Sequence, residues 1–197
     1  MEYLVTMTTH VPDGTSEAEV DEVRTREAAC SRQLAADGRL LRLWRPPLQP
    51  GEWRTLGLFD ADDPDALERI LASMPLRVWR TDQVAALSPH ANDPPTPNPR
   101  RGGTGEFFTW FTFSVPDGVD PAEVDRARDA EARRSRELAG QGHLRRIWIV
   151  PDRGLALGLW QADTADGLRS ILAGLPLAPW LDVEIVPLTP HPNDPAG

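Results

Sequence analysis

The 197-residue chain has one cysteine, one tyrosine and no excess of positive charge. A single thiol, Cys30, can neither close an internal disulfide nor supply a Cys-type zinc site, so a disulfide scaffold is excluded and a reducing compartment is the expectation. Twenty-one Lys and Arg stand against 30 Asp and Glu, a formal charge of −9, and the arginines are scattered among acids. That removes the electrostatic footprint of a general nucleic-acid binder. No apolar run is long enough to span a bilayer, and Met1 leads straight into the strand-like Tyr3–Met7 with no basic leader. No membrane partner and a soluble, cytoplasmic location are therefore expected. There is no phosphate loop, dinucleotide fingerprint or metal triad, so no cofactor and no metal are expected. What remains is 40% apolar residues, enough for a core, with 20 prolines and 7 tryptophans whose placement matters more than their number.

That placement is repeated. Residues 11–44 recur 104 positions later as 115–148, with 19 of 34 identical, and after a three-residue contraction residues 56–94 recur 101 positions later as 157–195, with 19 of 39 identical. Both halves end alike, in PHANDP and PHPNDP. Between them lies PPTPNPRRGGTG, whose Pro and Gly content reads as a semi-extended linker. The expected division is a first repeat over 1–94, a linker over 95–105 and a second repeat over 106–197.

Each half reads as strand, helix, strand, strand, helix, strand. In the first, a strand from Tyr3 to Thr9 precedes a helix from about Ser16 to Asp37, stopped at Gly38. Strands over 40–45 and 53–59 flank a Pro-rich turn, and Asp63 and Pro64 open a second helix, 65–74, that stops at Pro75. A last strand runs from about Trp79 to Leu87. This order is the ferredoxin-like βαββαβ unit, one antiparallel sheet with both helices on one face. A lone unit leaves its other sheet face bare, so the duplication predicts an α+β fold in which two such repeats pack sheet to sheet as a covalent pseudo-dimer.

The long helix carries a carboxylate inside its apolar stripe in both copies: Val20, Val23, Glu27, Leu34 and Val124, Ala127, Glu131, Leu138. Burial raises a carboxyl pKa toward neutrality and makes a general base of it. The structural alternative pairs each Glu with a matched arginine, Arg42 or Arg146. Ser31 and Ser135, one turn on, can hydrogen-bond the carboxylates. Trp44 and Trp148 close the second strands, and Trp79 and Trp180 open the fourth. These four indoles either wall a pocket for a small ring-shaped substrate or fill the core. Arg45 can hold a substrate carboxylate by a bidentate pair, but Ile149 stands at its counterpart. His90 and His191, in the matched tails, either shuttle protons or are plain turn residues.

Each half resembles muconolactone delta-isomerase along about 90 residues. The resemblance rests on the opening Tyr-Leu-Val-Thr-Met strand, the helix with Glu27, Leu34 and Gly38, the triplet Leu43-Trp44-Arg45 and the ending Pro-Leu-x-x-Trp. Copy 2 keeps the last region better, from Leu175 to Glu184 followed by His191-Pro192. The resemblance implies a ferredoxin-like α+β barrel, here an intramolecular dimeric α/β barrel, with association into larger rings, here a homo-oligomer of pseudo-dimers. It also implies a cofactor-free proton shift across a butenolide lactone, with a base at the position of Glu27 or Glu131. The segment after Leu-Trp-Arg departs from the family pattern in both copies, which leaves the substrate open. Three readings stand at this point: an isomerase-like acid/base catalyst on a lactone or similar enolisable carbonyl compound, a tailoring cyclase or isomerase acting on a polyketide-like secondary metabolite, and a non-catalytic small-molecule binding or assembly protein.

Overall fold

A computed structural model describes residues 1–95 and 105–196. These form an α+β chain of two βαββαβ halves with eight antiparallel strands and four α-helices. The chain divides into two compact units, 1–87 with 189–197 and 88–188. Each unit thus takes in the PHxNDP tail that follows the other repeat. The linker expected over 95–105 lies, apart from its end residues, outside the described residues.

Unit 1 holds β1 (Glu2–Thr9), α1 (Glu17–Ala36), β2 (Leu40–Arg45), β3 (Arg54–Asp60), α2 (Pro64–Ser73) and most of β4 (Arg80–Pro89). The strands lie in the order β4–β1–β3–β2. Local chemistry sets the helix ends. The Ser16 hydroxyl accepts the Glu19 N–H at 3.3 Å, and Asp63 accepts the Ala66 N–H at 2.6 Å. Gly38, at φ 69°, takes the left-handed conformation that stops α1. The last strand begins one residue later than expected. Pro75 opens a short 3₁₀ turn, Pro75–Trp79, so Trp79 ends that turn and Arg80 opens β4.

A one-residue bulge in β2, between Leu40 and Arg42, decides where that strand's side chains go. Leu40 and Leu43 are three apart, yet both join the core beneath the helices with Val5, Phe59, Leu67 and Leu71. Arg42 and Trp44 alternate onto the opposite face, and Arg45 returns to the face of Leu43. Unit 2 repeats the bulge between Leu144 and Arg146.

Unit 2 comprises β5 (Gly105–Phe113), α3 (Pro121–Gly140), β6 (Leu144–Val150), β7 (Leu155–Ala162), α4 (Ala165–Ala173) and most of β8 (Leu181–Pro190), in the order β8–β5–β7–β6. Its core gathers Phe107, Phe111, Leu144, Ile147, Trp160 and Leu172. Gly158 lets this core close. A Cβ there would overlap Trp160 Nε1 and lie 2.7 Å from Thr109 Oγ1, two atoms joined by a buried hydrogen bond of 2.8 Å. Gly158→Ala is therefore expected to cost about 1–3 kcal/mol in denaturant unfolding, as overpacking does. An unchanged midpoint would mean that the Trp160–Thr109 pair can step aside without loss.

Candidate functional site

Three elements and a tail meet around Glu27 in unit 1. The inward face of α1 presents Val23, Glu27 and Ser31, all buried. Spacings of four place the carboxyl and the hydroxyl one turn apart on one stripe. Beside them opens a cavity of about 150 Å³, lined among others by Glu27, Ser31, Arg24, Arg45, Trp53 and His191. A space of that size accommodates a single benzene-sized ring.

Glu27 is held at both oxygens. Oε2 accepts the Leu76 N–H at 2.8 Å, and Oε1 accepts from Arg80 Nη1 at 3.4 Å. Burial raises its pKa above the ordinary carboxylate value; the Leu76 N–H and the Arg80 charge pull it back, and Asp82 pushes it up. Glu131 makes the matching backbone bond, accepting the Leu177 N–H at 3.0 Å, and burial raises its pKa too. In both units the carboxyl therefore caps the turn before the last strand.

His191 reaches the cavity because the tail is anchored beside β2. Thr189 and Pro190 pair with Arg45 and Trp44, and the His191 N–H donates to the Leu43 carbonyl at 3.1 Å. The anchor is Asp194. Its carboxylate accepts from Arg42 Nε at 3.1 Å and Nη2 at 3.0 Å, and from the Leu43 N–H at 3.0 Å, while the Arg42 guanidinium lies 4.5 Å over the Trp44 ring. In unit 2 the first tail does the same with Asp93, Arg146, the Ile147 N–H and Trp148. The acid of the PHxNDP motif, more than its histidine, holds the tail.

The His191 ring accepts the Asn193 N–H at Nδ1, at 3.1 Å. Nε2 is then its N–H donor in the neutral state. Burial and the nearby Arg45 charge push its pKa down to about 4, so the ring is neutral near pH 7. The stability consequence has a definite sign. An unfolded histidine titrates near 6.5 and so binds its proton first on acidification. Stability is lost as the pH falls from about 6.5 to about 4. Glu27 and Glu131, with raised values, oppose this, since their contribution is lost as the pH rises. His191→Gln should therefore flatten the acid-side fall of Tm relative to the parent between about pH 6.5 and about 4. Parallel curves would mean the ring is solvated and titrates normally.

Several expectations need correction. Arg42 and Arg146 do not neutralise the glutamates; the bulges put them on the strand face away from α1 and α3, where they pair with Asp194 and Asp93. The four matched indoles are not the cavity wall. Trp44 and Trp148 are fully buried beneath the arginines, Trp79 closes the 3₁₀ turn, and Trp180 stacks edge-on to Phe113. The indole at the cavity is Trp53, with Arg24 lying 4.8 Å over its ring. Glu27, Ser31, Arg45 and His191 are brought together; Ser135, buried in α3, His90, and Glu131 belong to unit 2. His90 accepts the Asn92 N–H and has its pKa lowered by burial. Arg24, Trp53 and Arg80 are site residues that the sequence does not single out. Arg24 lies three residues before Glu27 on the same helix, a spacing that places it beside the carboxyl; Trp53 and Arg80 stand where the repeats diverge.

Met7, Leu43, Thr55 and Met74 line the cavity of unit 1, and Met7, Leu43 and Met74 also belong to its apolar core. Their counterparts Phe111, Ile147 and Leu175 belong to the apolar core of unit 2, and Ala156 packs on it. Among the described residues no cluster of three His, Cys, Asp or Glu side chains has metal-binding geometry, and no helix is long and apolar enough to cross a membrane.

The family pattern of muconolactone delta-isomerase matches residues 1–93 and again 106–194. The muconolactone delta-isomerase of Rhodococcus opacus is 33% identical over 88 residues, 45% of this chain and 95% of its own length. That of Cupriavidus pinatubonensis is 31% identical over 90 residues, 46% of this chain and 95% of its own. Two solved structures span nearly the whole chain: a heme-binding protein from Thermus thermophilus, at TM-score 0.61, 13% identity and coverage of 98% and 93%, and a mutant chlorite dismutase from Candidatus Nitrospira defluvii, at TM-score 0.59, 8% identity and coverage of 95% and 92%. At these identities the likeness is one of fold.

Proposed function

The chain belongs to the muconolactone delta-isomerase family, and from that premise we propose that unit 1 is a cofactor-independent acid/base catalyst that shifts a proton across an unsaturated lactone or a similar enolisable carbonyl compound. The observation that carries the reading is a carboxyl of raised pKa at the wall of a small cavity that is also lined by a neutral histidine and three arginines, Arg24, Arg45 and Arg80. Glu27 takes the acidic carbon proton next to the carbonyl, and the electron pair passes to the carbonyl oxygen as a dienolate. His191, through Nε2–H, donates a hydrogen bond to that oxygen as its charge develops. The Glu27 carboxylic acid returns the proton at the vinylogous carbon, so the double bond moves and no oxidant or reductant is consumed. Arg45 and Arg24 favour a substrate that carries a carboxylate.

The test is proton nuclear magnetic resonance in deuterium oxide with a butenolide bearing a carboxymethyl arm. The expected result is migration of the double bond with deuterium uptake at the vinylogous carbon, both faster than in buffer. No acceleration by the folded protein, across several such lactones, sinks the proposal.

A further inference from the structure

From Glu27 and Arg80 at the cavity, unit 1 carries a run of alternating charges away from the site. Arg80 Nε lies 2.7 Å from Asp82 Oδ1, and its Nη2 donates to Asp82 Oδ2 at 3.1 Å. Asp82 also accepts from Arg77, which donates to Glu68 at 2.8 Å. The Arg80 side chain is 2% exposed and that of Asp82 3%. The far end of the run is Glu27, reached by Arg80 Nη1. Arg80 also lies against Met74 Sδ, at 3.7 Å from Nη1.

Two ions this deep are costly to desolvate, and apolar residues of similar volume often serve stability as well. Unit 2 demonstrates the point. Arg80 pairs in register with Thr9 and Asp82 with Met7 on β1, while at the corresponding places Leu181 pairs with Phe113 and Val183 with Phe111. The same strand thus folds with two aliphatic side chains in place of the ion pair. Of the run's five members only the glutamate persists: Glu68, Arg77, Arg80 and Asp82 become Arg169, Ala178, Leu181 and Val183.

We propose that Arg80, clamped by Asp82, is the positioning residue of Glu27: it aims the carboxylate into the cavity and holds it in the charged form that can accept a proton. Glu131, without such a cation on β8, serves as a backbone cap. The inference rests on the reading of Glu27 as the base. Other charges also face Glu27: Arg24 on its own helix, Arg45 on β2 and His191 on the tail line the same cavity, and the neighbouring Cys30 thiol feels its charge. Arg80 differs from these in touching the carboxyl directly and in being buried with a fixed partner.

The experiment follows the side-chain carboxyl carbons of the full chain, labelled with 13C-glutamate, as the pH is raised. Glu27 and Glu131 are assigned as the signals lost in Glu27→Gln and Glu131→Gln. Arg80→Leu should move the Glu27 midpoint upward, because Asp82 then faces it without the intervening cation. Arg80→Leu combined with Asp82→Val, the pair unit 2 carries, should move it upward by less. Arg80→Lys should restore it nearly to the parent value, and Glu131 should stay in place throughout. In the exchange assay, the pH of half-maximal rate should follow the same order. A Glu27 midpoint that stays put or falls in Arg80→Leu overturns the proposal; if that variant does not fold, the double variant decides by the same criterion. The titration needs no substrate. Midpoints that shift as expected in a protein that exchanges no lactone proton would remove the catalytic reading and leave the Arg80 coupling standing.

Discussion

Glu27→Gln is expected to slow solvent exchange into a carboxylate-bearing butenolide by about 10²–10⁴-fold, the usual worth of a positioned acid or base. The substitution is isosteric, and the amide oxygen can still accept the Leu76 N–H that Glu27 accepts at 2.8 Å, while the amide NH2 turns toward Arg80, which keeps its pair with Asp82. The fold should therefore survive with some loss of Tm, and circular dichroism should stay close to the parent. Glu131→Gln keeps the corresponding bond to Leu177, and Glu131 lacks the cation that Glu27 meets, since Leu181 stands where unit 1 has Arg80. Its exchange rate should match the parent. Equal losses in the two variants would mean that both halves work, and a folded Glu27→Gln protein with the parent rate would remove Glu27 as the base.

The second large effect lies outside the cavity. The Asp194 side chain is 0% exposed and holds an Arg42 guanidinium that is itself 14% exposed, while accepting the Leu43 N–H. Asp194→Ala deletes the carboxylate and keeps the buried cation, a class of change that costs about 3–5 kcal/mol. In a chain of this size that corresponds to a Tm lower by about 6–20 °C. It should also lower the exchange rate well below the new Tm, because His191 sits on the segment that Asp194 ties down. Asp93→Ala is the control, since Asp93 makes the equivalent bonds to Arg146 and the Ile147 N–H in unit 2. It should destabilise the protein with little effect on exchange. If Asp194→Ala melted like the parent, the ion pair would have to be replaced by water at no cost; if both variants lost exchange equally, the tail would have no special part in the unit 1 site.

The candidate site shows what a single sequence can and cannot disclose. Glu27 is legible because helical period is a local property: steps of three and four fix which side chains share a face. The helix ends at Ser16, Gly38 and Asp63 are legible for the same reason, since a cap bonds to residues two or three positions away. The partner of Glu27 is not. Arg42 is a reasonable candidate on charge and repetition, yet a single-residue bulge, which has no strong signature in Leu40–Arg45, turns it to the other face of the strand. Its acid, Asp194, is 152 residues away.

The sequence by itself determined the duplication, the βαββαβ order of each half, the family and the two matched glutamates, because all of these are carried by local pattern or by repetition. Only the tertiary structure decided that the second tail completes unit 1, that Trp53 rather than the matched indoles walls the cavity, and that Glu27 meets Arg80 where unit 2 has Leu181. The physical reason is range. Periodicity, caps and turns are settled within a few residues, whereas the pairing of a buried charge depends on which distant strands and tails packing brings within about 3 Å, the reach of a hydrogen bond.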